Sequence, residues 1–180
     1  MNIVQTWNKA VSVMFFPKRE WKVIATNGTK SGALGYLVVF SILIGLARFA
    51  HLFFWQGRLQ AGFEHGIQTI AAVLLGTLLV ALLAYIYASN FESRKSFGKA
   101  LQLVVFSLTP VFFGLAVLIL FGGFYLYFTL VFAIFSLVLL FIGLPILLET
   151  PDKQRWSFMG LITITIVLLV VIAWLALRYV

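Results

Sequence analysis

Apolar and polar residues fall along this chain in long blocks, with no helical or strand period inside them. Five apolar blocks stand out, over about 34–55, 67–87, 101–121, 124–148 and 158–177. Each holds at least about 20 residues, and at about 1.5 Å per residue such a helix crosses a hydrocarbon layer of about 30 Å. A helix that is apolar on every side has no face to turn to water. The pattern predicts an all-α fold: a polytopic membrane protein built as a five-helix transmembrane bundle. The third and fourth blocks nearly touch and would make one helix far too long. Gly122 and Gly123 between them predict a tight hairpin.

The first 32 residues are too polar to cross. Val4, Trp7, Val11 and Met14 recur at helical spacing and predict a short interfacial helix lying on the leaflet. Pro17 interrupts it and suits the first position of a second short helix. That helix would carry Trp21 and Ile24 beside Lys18, Arg19 and Lys22, and end at Asn27-Gly28. The chain therefore divides into an amphipathic interfacial segment over 1–32 and a transmembrane domain over 33–180. Met1 to Phe16 lacks the sustained apolar core of a cleavable signal. Thr150-Pro151-Asp152 predicts the start of the last helix, with an N-cap, a first-turn proline and an acid near the positive end of the dipole. Trp156 would be its interfacial anchor.

Composition agrees. The chain is 63% hydrophobic and 10% charged, whereas soluble domains are about half apolar and about a quarter charged. The formal charge of +8 would suggest nucleic acid in a soluble protein. Here the cations sit in short segments between apolar blocks, so the expected surface is the bilayer and no nucleic acid. There is no cysteine, which excludes disulfides and thiolate metal sites.

The positions of the cations set the orientation. Lys9, Lys18, Arg19, Lys22 and Lys30 precede the first block. Arg94, Lys95 and Lys99 lie between the second and third, and Lys153 and Arg155 between the fourth and fifth. Five crossings put these ten on one side and leave only Arg58 and Arg178 opposite, with Arg48 inside a block. Four or six crossings would scramble that asymmetry. The positive-inside rule then places the N-terminus in the cytosol and the C-terminus outside. Lys18, Arg19, Lys22, Arg94, Lys95 and Lys99 become membrane-surface residues, each drawing anionic lipid with about 1 kcal/mol.

Arg48 is the one charge inside a block, with His51 three positions on, on the same helical face. Glu64, His65 and Gln68 open the second block on the same side. Together they make a candidate polar cluster, through an Arg48–Glu64 pair or a wider set of contacts, while Arg48 in the outer half of its block is also placed to snorkel to the far interface. Pro110 and Pro145 lie within blocks and predict helix kinks. Pro110 removes the bond to the Phe106 carbonyl, which Ser107 or Thr109 is placed to satisfy. Ser41/Gly45 and Ala72/Gly76 predict close helix approach, and Phe128, Phe132 and Phe135 form an aromatic stripe whose expected role is packing. No block contains Asp, Glu or Lys, and no HExxH, P-loop, GxSxG or clustered metal ligands occur. No catalytic residue, cofactor or metal is expected, and the protein is not expected to be an enzyme.

The run Phe97-Gly98-Lys99-Ala100-Leu101, followed by Phe106-Ser107-Leu108-Thr109-Pro110, resembles the third-span signature of the Yip domain family. So does Phe135-Ser136-Leu137-Val138-Leu139-Leu140-Phe141-Ile142-Gly143-Leu144-Pro145. It leads into Glu149-Thr150-Pro151-Asp152-Lys153, which is similar to the Gly-Leu-Pro…Thr-Pro stretch of the bacterial branch. Pro17, Trp21 and Ile24 resemble that family's pre-membrane segment. The resemblance covers nearly the whole chain and implies five spans, a cytosolic N-terminus and an outward C-terminus. Eukaryotic members are linked to Rab-type GTPases and vesicle traffic and carry a long cytosolic N-terminal region that is not seen in this sequence. The resemblance therefore implies a multi-pass protein of a bacterial inner membrane. The expected function is a scaffold or adaptor that organises protein partners or anionic lipids at the cytosolic face. The alternative is a small transporter or channel with a polar site near the outer ends of the first two spans. Either is compatible with a homo-oligomer.

Overall fold

The computed structural model describes residues 3–27, 32–121 and 125–178. Two short helices come first, α1 (Ile3–Phe15) and α2 (Pro17–Asn27). They are followed by α3 (Ala33–Gln56), α4 (Leu59–Tyr87), a 3-10 turn over Ala88–Phe91, α5 (Phe97–Ser107), α6 (Thr109–Phe121), α7 (Tyr125–Leu147) and α8 (Asp152–Arg178). Among the described residues four of these helices are long and apolar enough to cross a membrane, and α5 with α6, bent by 43° at their break, makes a fifth when the pair is counted as one span. The protein is an all-α, multi-pass membrane bundle. The hairpin expected at Gly122-Gly123 lies outside the described residues.

The first hairpin is tighter than its polarity suggests. Only Gly57 and Arg58 separate α3 from α4, because Gly57 takes a left-handed φ of 65° and ends α3 at once. Glu64, His65 and Gln68 are therefore inside α4 and not ahead of it. At 29 residues, α4 is about 43 Å long, more than the ~30 Å that a hydrocarbon layer requires. The two helices touch where side chains are missing. A methyl group at Gly66 would stand 3.1 Å from the Gly45 carbonyl, and one at Gly62 would stand 3.1 Å from the Phe49 ring. Gly45 behaves as expected, but what it faces on α4 is Gly66 and Ile70, while Gly62 faces Phe49. The Ala72/Gly76 pair plays no part: Ala72 is exposed and nothing lies within 4 Å of a methyl group at Gly76.

The bend between α5 and α6 has a traceable cause. Pro110 has no N–H, so the Phe106 carbonyl loses its helical partner. Thr109 donates its hydroxyl to that carbonyl at 2.8 Å. With that hydrogen used, the Tyr36 hydroxyl is the donor in its 2.9 Å bond to Thr109 Oγ1. The chain Tyr36 to Thr109 to Phe106 is fully buried and ties α3 to the bend. Thr109→Val keeps the shape but strands the phenol and the carbonyl, and an unsatisfied buried group costs about 1–3 kcal/mol. The unfolding midpoint in detergent is expected to fall accordingly. Tyr36→Phe combined with Thr109→Val should lose less than the two single losses added, because the pair acts as one unit. At Pro145 no break occurs: α7 runs through it to Leu147.

The N-terminal helices form where expected and pack against the bundle. On α1 the residues turned to the bundle are Thr6, Ala10 and Val13, all buried. The expected stripe points elsewhere, with Trp7 53% and Val11 37% exposed, and the Val4 side chain is outside the described residues. The reason is size. Small residues at i, i+4 and i+7 let α1 approach closely, and the bulky stripe is left for lipid. α2 lies against α7, with Trp21 and Ile24 fully buried.

Candidate functional site

The basic end of the bundle collects α2, the segment over 88–96 and the segment over 148–155. α2 is pinned from within. Pro17 opens it, and Glu20 sits in its first turn where the helix dipole favours an acid. The Trp21 ring meets Phe106 edge-on at 6.5 Å. It also fills the space opposite Gly143, where a methyl group would stand 2.9 Å from the indole. With Trp21 and Ile24 inward, Lys18, Arg19 and Lys22 are exposed. None of the three joins an ion pair among the described residues. From α1, the Lys9 ammonium lies 4.9 Å above the Phe106 ring. Burial pushes its pKa down, with the Glu20 carboxylate opposing.

Arg94, Lys95, Lys99 and Arg155 each have a partner. Glu149, in the left-handed region at φ 54°, ends α7 and accepts a 2.8 Å bond from Arg94. Lys99 stands 3.9 Å from the same oxygen. The Arg94 backbone N–H donates to the Leu148 carbonyl at 2.7 Å. The Ser93 and Thr150 hydroxyls meet at 2.9 Å, and Phe91 stacks flat on Phe158 at 4.6 Å. These contacts clasp the end of α4 to the α7–α8 turn. Thr150 is thus a tie, not the expected N-cap, since its hydroxyl turns to Ser93 and the Leu144 carbonyl. Lys95 lies over the Tyr85 ring. Arg155 pairs with Asp152 and covers the Phe141 ring, against which Trp156 also packs.

The Arg94 hydrogen bond, with the Arg94 and Lys99 charges behind it, holds the Glu149 carboxyl below its ordinary value of 4.5. A lowered pKa adds stability that is complete above the unfolded value and lost as pH falls through the folded one. Wild type should therefore exceed Glu149→Gln in unfolding midpoint at neutral pH, and the difference should vanish on acidification below 4.5. The pair is exposed, so the difference is small.

At the opposite end the five cluster candidates do not converge as expected. Arg48 and His51 are half-buried on α3. Glu64 is exposed and accepts a bond from Gln60 at 3.1 Å, while His65 and Gln68 pair at 3.0 Å along α4. No ion pair joins Arg48 to Glu64 among the described residues. Once α4 begins at Leu59, both Glu64 and His65 have partners one turn away on their own helix.

Sequence reasoning missed Lys9, Ser93 and Glu149 as working residues. Only Glu149 carried a signal, as the acid beside Thr150-Pro151. The family model for the Yip1 domain matches residues 11–175. The chain belongs to the Yip1 domain family. The match begins within α1 and runs into α8, so the pinned α2 and both halves of the clasp are parts of the Yip1 domain. Curated proteins and solved structures give no match.

Proposed function

We propose that this Yip1-domain protein is a non-enzymatic scaffold or adaptor that organises protein partners or anionic lipids at the cytosolic face of a bacterial inner membrane. In this reading the N-terminus is cytosolic and the C-terminus periplasmic, following the ten cations gathered on one side. The observation that carries the reading is the pinned α2. A loose basic tail attracts anions without geometry. Trp21 and Ile24 instead hold Lys18, Arg19 and Lys22 exposed and outside any ion pair among the described residues, while Arg94 and Lys99 engage Glu149 and Arg155 engages Asp152.

A transporter built around Arg48 has less support. A cavity of about 20 Å³ lies between α5, α7 and α8, a small cleft separates α4 from α8, and a groove of about 430 Å³ runs along α3 and α6. None of these is lined by Arg48, His51, Glu64 or His65. An enzyme would need those same groups to converge, and Glu64 and His65 spend their hydrogen bonds within α4. Co-purification from native membranes tests the proposal. Wild type and Arg48→Leu should retain the same protein or anionic-lipid partner, and Lys18→Gln/Arg19→Gln/Lys22→Gln should lose it. Solute flux in proteoliposomes that Arg48→Leu abolishes would reverse the assignment.

A further inference from the structure

A hydroxyl inside a membrane helix can turn back on its own backbone. Ser41, Thr69, Thr163 and Thr165 all do so, each donating to the carbonyl four residues earlier at 2.7–2.9 Å. Ser107 on α5 and Ser136 on α7 do not. Both are buried, at 2% and 5% exposure, and neither Oγ has a hydrogen-bond partner among the described residues. A buried hydroxyl without a partner is costly, and in lipid no bulk water relieves it.

The two serines meet at one place. Both line the cavity between α5, α7 and α8, and the other lining residues are aliphatic. One of these is Leu108, at the junction of α5 with α6. Ser107 lies ten residues past Phe97, the start of α5, and Ser136 lies eleven residues before Leu147, the end of α7. Phe97 and Leu147 both belong to the basic end. At about 1.5 Å per residue the two serines are therefore about 15 Å in from that end, near the middle of a hydrocarbon layer about 30 Å thick.

Size and chemistry select the occupant. The cavity measures about 20 Å³. One water needs about 10–15 Å³, so there is room for one and not for two. An internal water takes two to four polar partners, and two hydroxyls, each able to donate and to accept, meet that need. An apolar guest would leave both hydroxyls unpaired.

We propose that this cavity binds a single water, which bridges Ser107 and Ser136 at mid-membrane depth and ties the α5–α6 bend to α7. Tyr36 and Thr109 satisfy the Phe106 carbonyl from the α3 side of the bend, and the water holds its α7 side. The site is separate from the basic face and does not depend on the partner proposed there.

The sequence supplies a selective label. Three serines follow a phenylalanine, and they are Ser41, Ser107 and Ser136. Protein made with carbonyl-13C phenylalanine and 15N serine, reconstituted in phosphatidylcholine vesicles, therefore gives three Phe–Ser peaks in a solid-state NMR spectrum. Ser41 is fully buried with its hydroxyl bonded to the Leu37 carbonyl, so it is the dry reference, and Ser41→Ala identifies its peak. Polarisation transferred from water protons should reach Ser107 and Ser136 several-fold faster than Ser41. Equal build-up at all three would overturn the site. A second measurement turns on sign. Removing one of two bridged hydroxyls strands the water, so Ser107→Ala and Ser136→Ala should each lower the unfolding midpoint in detergent, and the double variant should lose less than the two losses added. Removing a dry, unpaired hydroxyl instead relieves a penalty, so an unchanged or raised midpoint would also overturn the site. The spectrum is read on the wild-type cavity, so its result stands if a variant at 107 or 136 fails to fold.

Discussion

Trp21→Ala is expected to release the N-terminal segment from the bundle and to cost more stability than any other single truncation on α1 or α2. Trp21 is fully buried, and it joins α2 to Phe106 on α5 and to Gly143 on α7. Truncating a buried aromatic to alanine costs about 3–5 kcal/mol, through lost contacts and the cavity left behind. α2 has only 11 residues, too few to be a stable helix alone, so most of its order depends on this contact. Two measurements check the effect. The unfolding midpoint in detergent should drop sharply. The distance distribution between spin labels at Lys22→Cys and Lys153→Cys should change from one narrow peak to a broad spread. The buried indole Nε1 has no hydrogen-bond partner among the described residues. Trp21→Phe therefore forfeits no polar contact and should keep the narrow peak.

Gly45→Leu is expected to force α3 and α4 apart. A methyl group at Gly45 would already stand 2.3 Å from Ile70 Cγ1 and 2.8 Å from the Gly66 carbonyl. The Ile70 side chain can rotate, but the carbonyl is backbone and moves only if the whole helix moves. Overpacking costs about 1–3 kcal/mol, occasionally more, so Gly45→Ala should lower the midpoint clearly. Gly45→Leu should prevent a compact bundle, seen as aggregation or early elution in size-exclusion chromatography. Gly76→Ala is the internal control. Nothing lies within 4 Å of its added methyl, and replacing glycine in a helix gains up to about 1 kcal/mol. Equal damage at positions 45 and 76 would contradict the close α3–α4 approach.

Block hydropathy made the spans readable because a membrane helix must satisfy its backbone internally and show lipid an apolar surface. The Pro110 bend and the role of Thr109 were readable for the same reason: a missing N–H is visible in sequence, and so is the hydroxyl beside it. The start of α4 was not, because the apolar block begins only at 67, while the helix already runs from Leu59, with Gly62 and Gly66 packed on α3. The bundle-facing side of α1 was also hidden. Thr6 and Ala10 offer less apolar surface than Trp7, Val13 is no different from Val11, and in a bilayer the larger residues need not face inward. The clasp joins Arg94 to Glu149 across 55 positions, a pairing that no local pattern announces. The Arg48–Glu64 expectation failed because hydrogen-bond partners on the same helix were closer to hand.

The central claim is that α2, pinned by Trp21, is the surface at which this protein meets its partners. It is tested most directly by site-specific photo-cross-linking in native membranes, with a photoreactive amino acid placed singly at Lys18, Lys22 or Leu168. Lys18 and Lys22 lie on the outward face of α2, and Leu168 is exposed on α8. The account predicts adducts to a protein or an anionic phospholipid at positions 18 and 22 that are absent at 168 and lost on Arg19→Glu. Equal yields at all three positions, unaffected by Arg19→Glu, would contradict it.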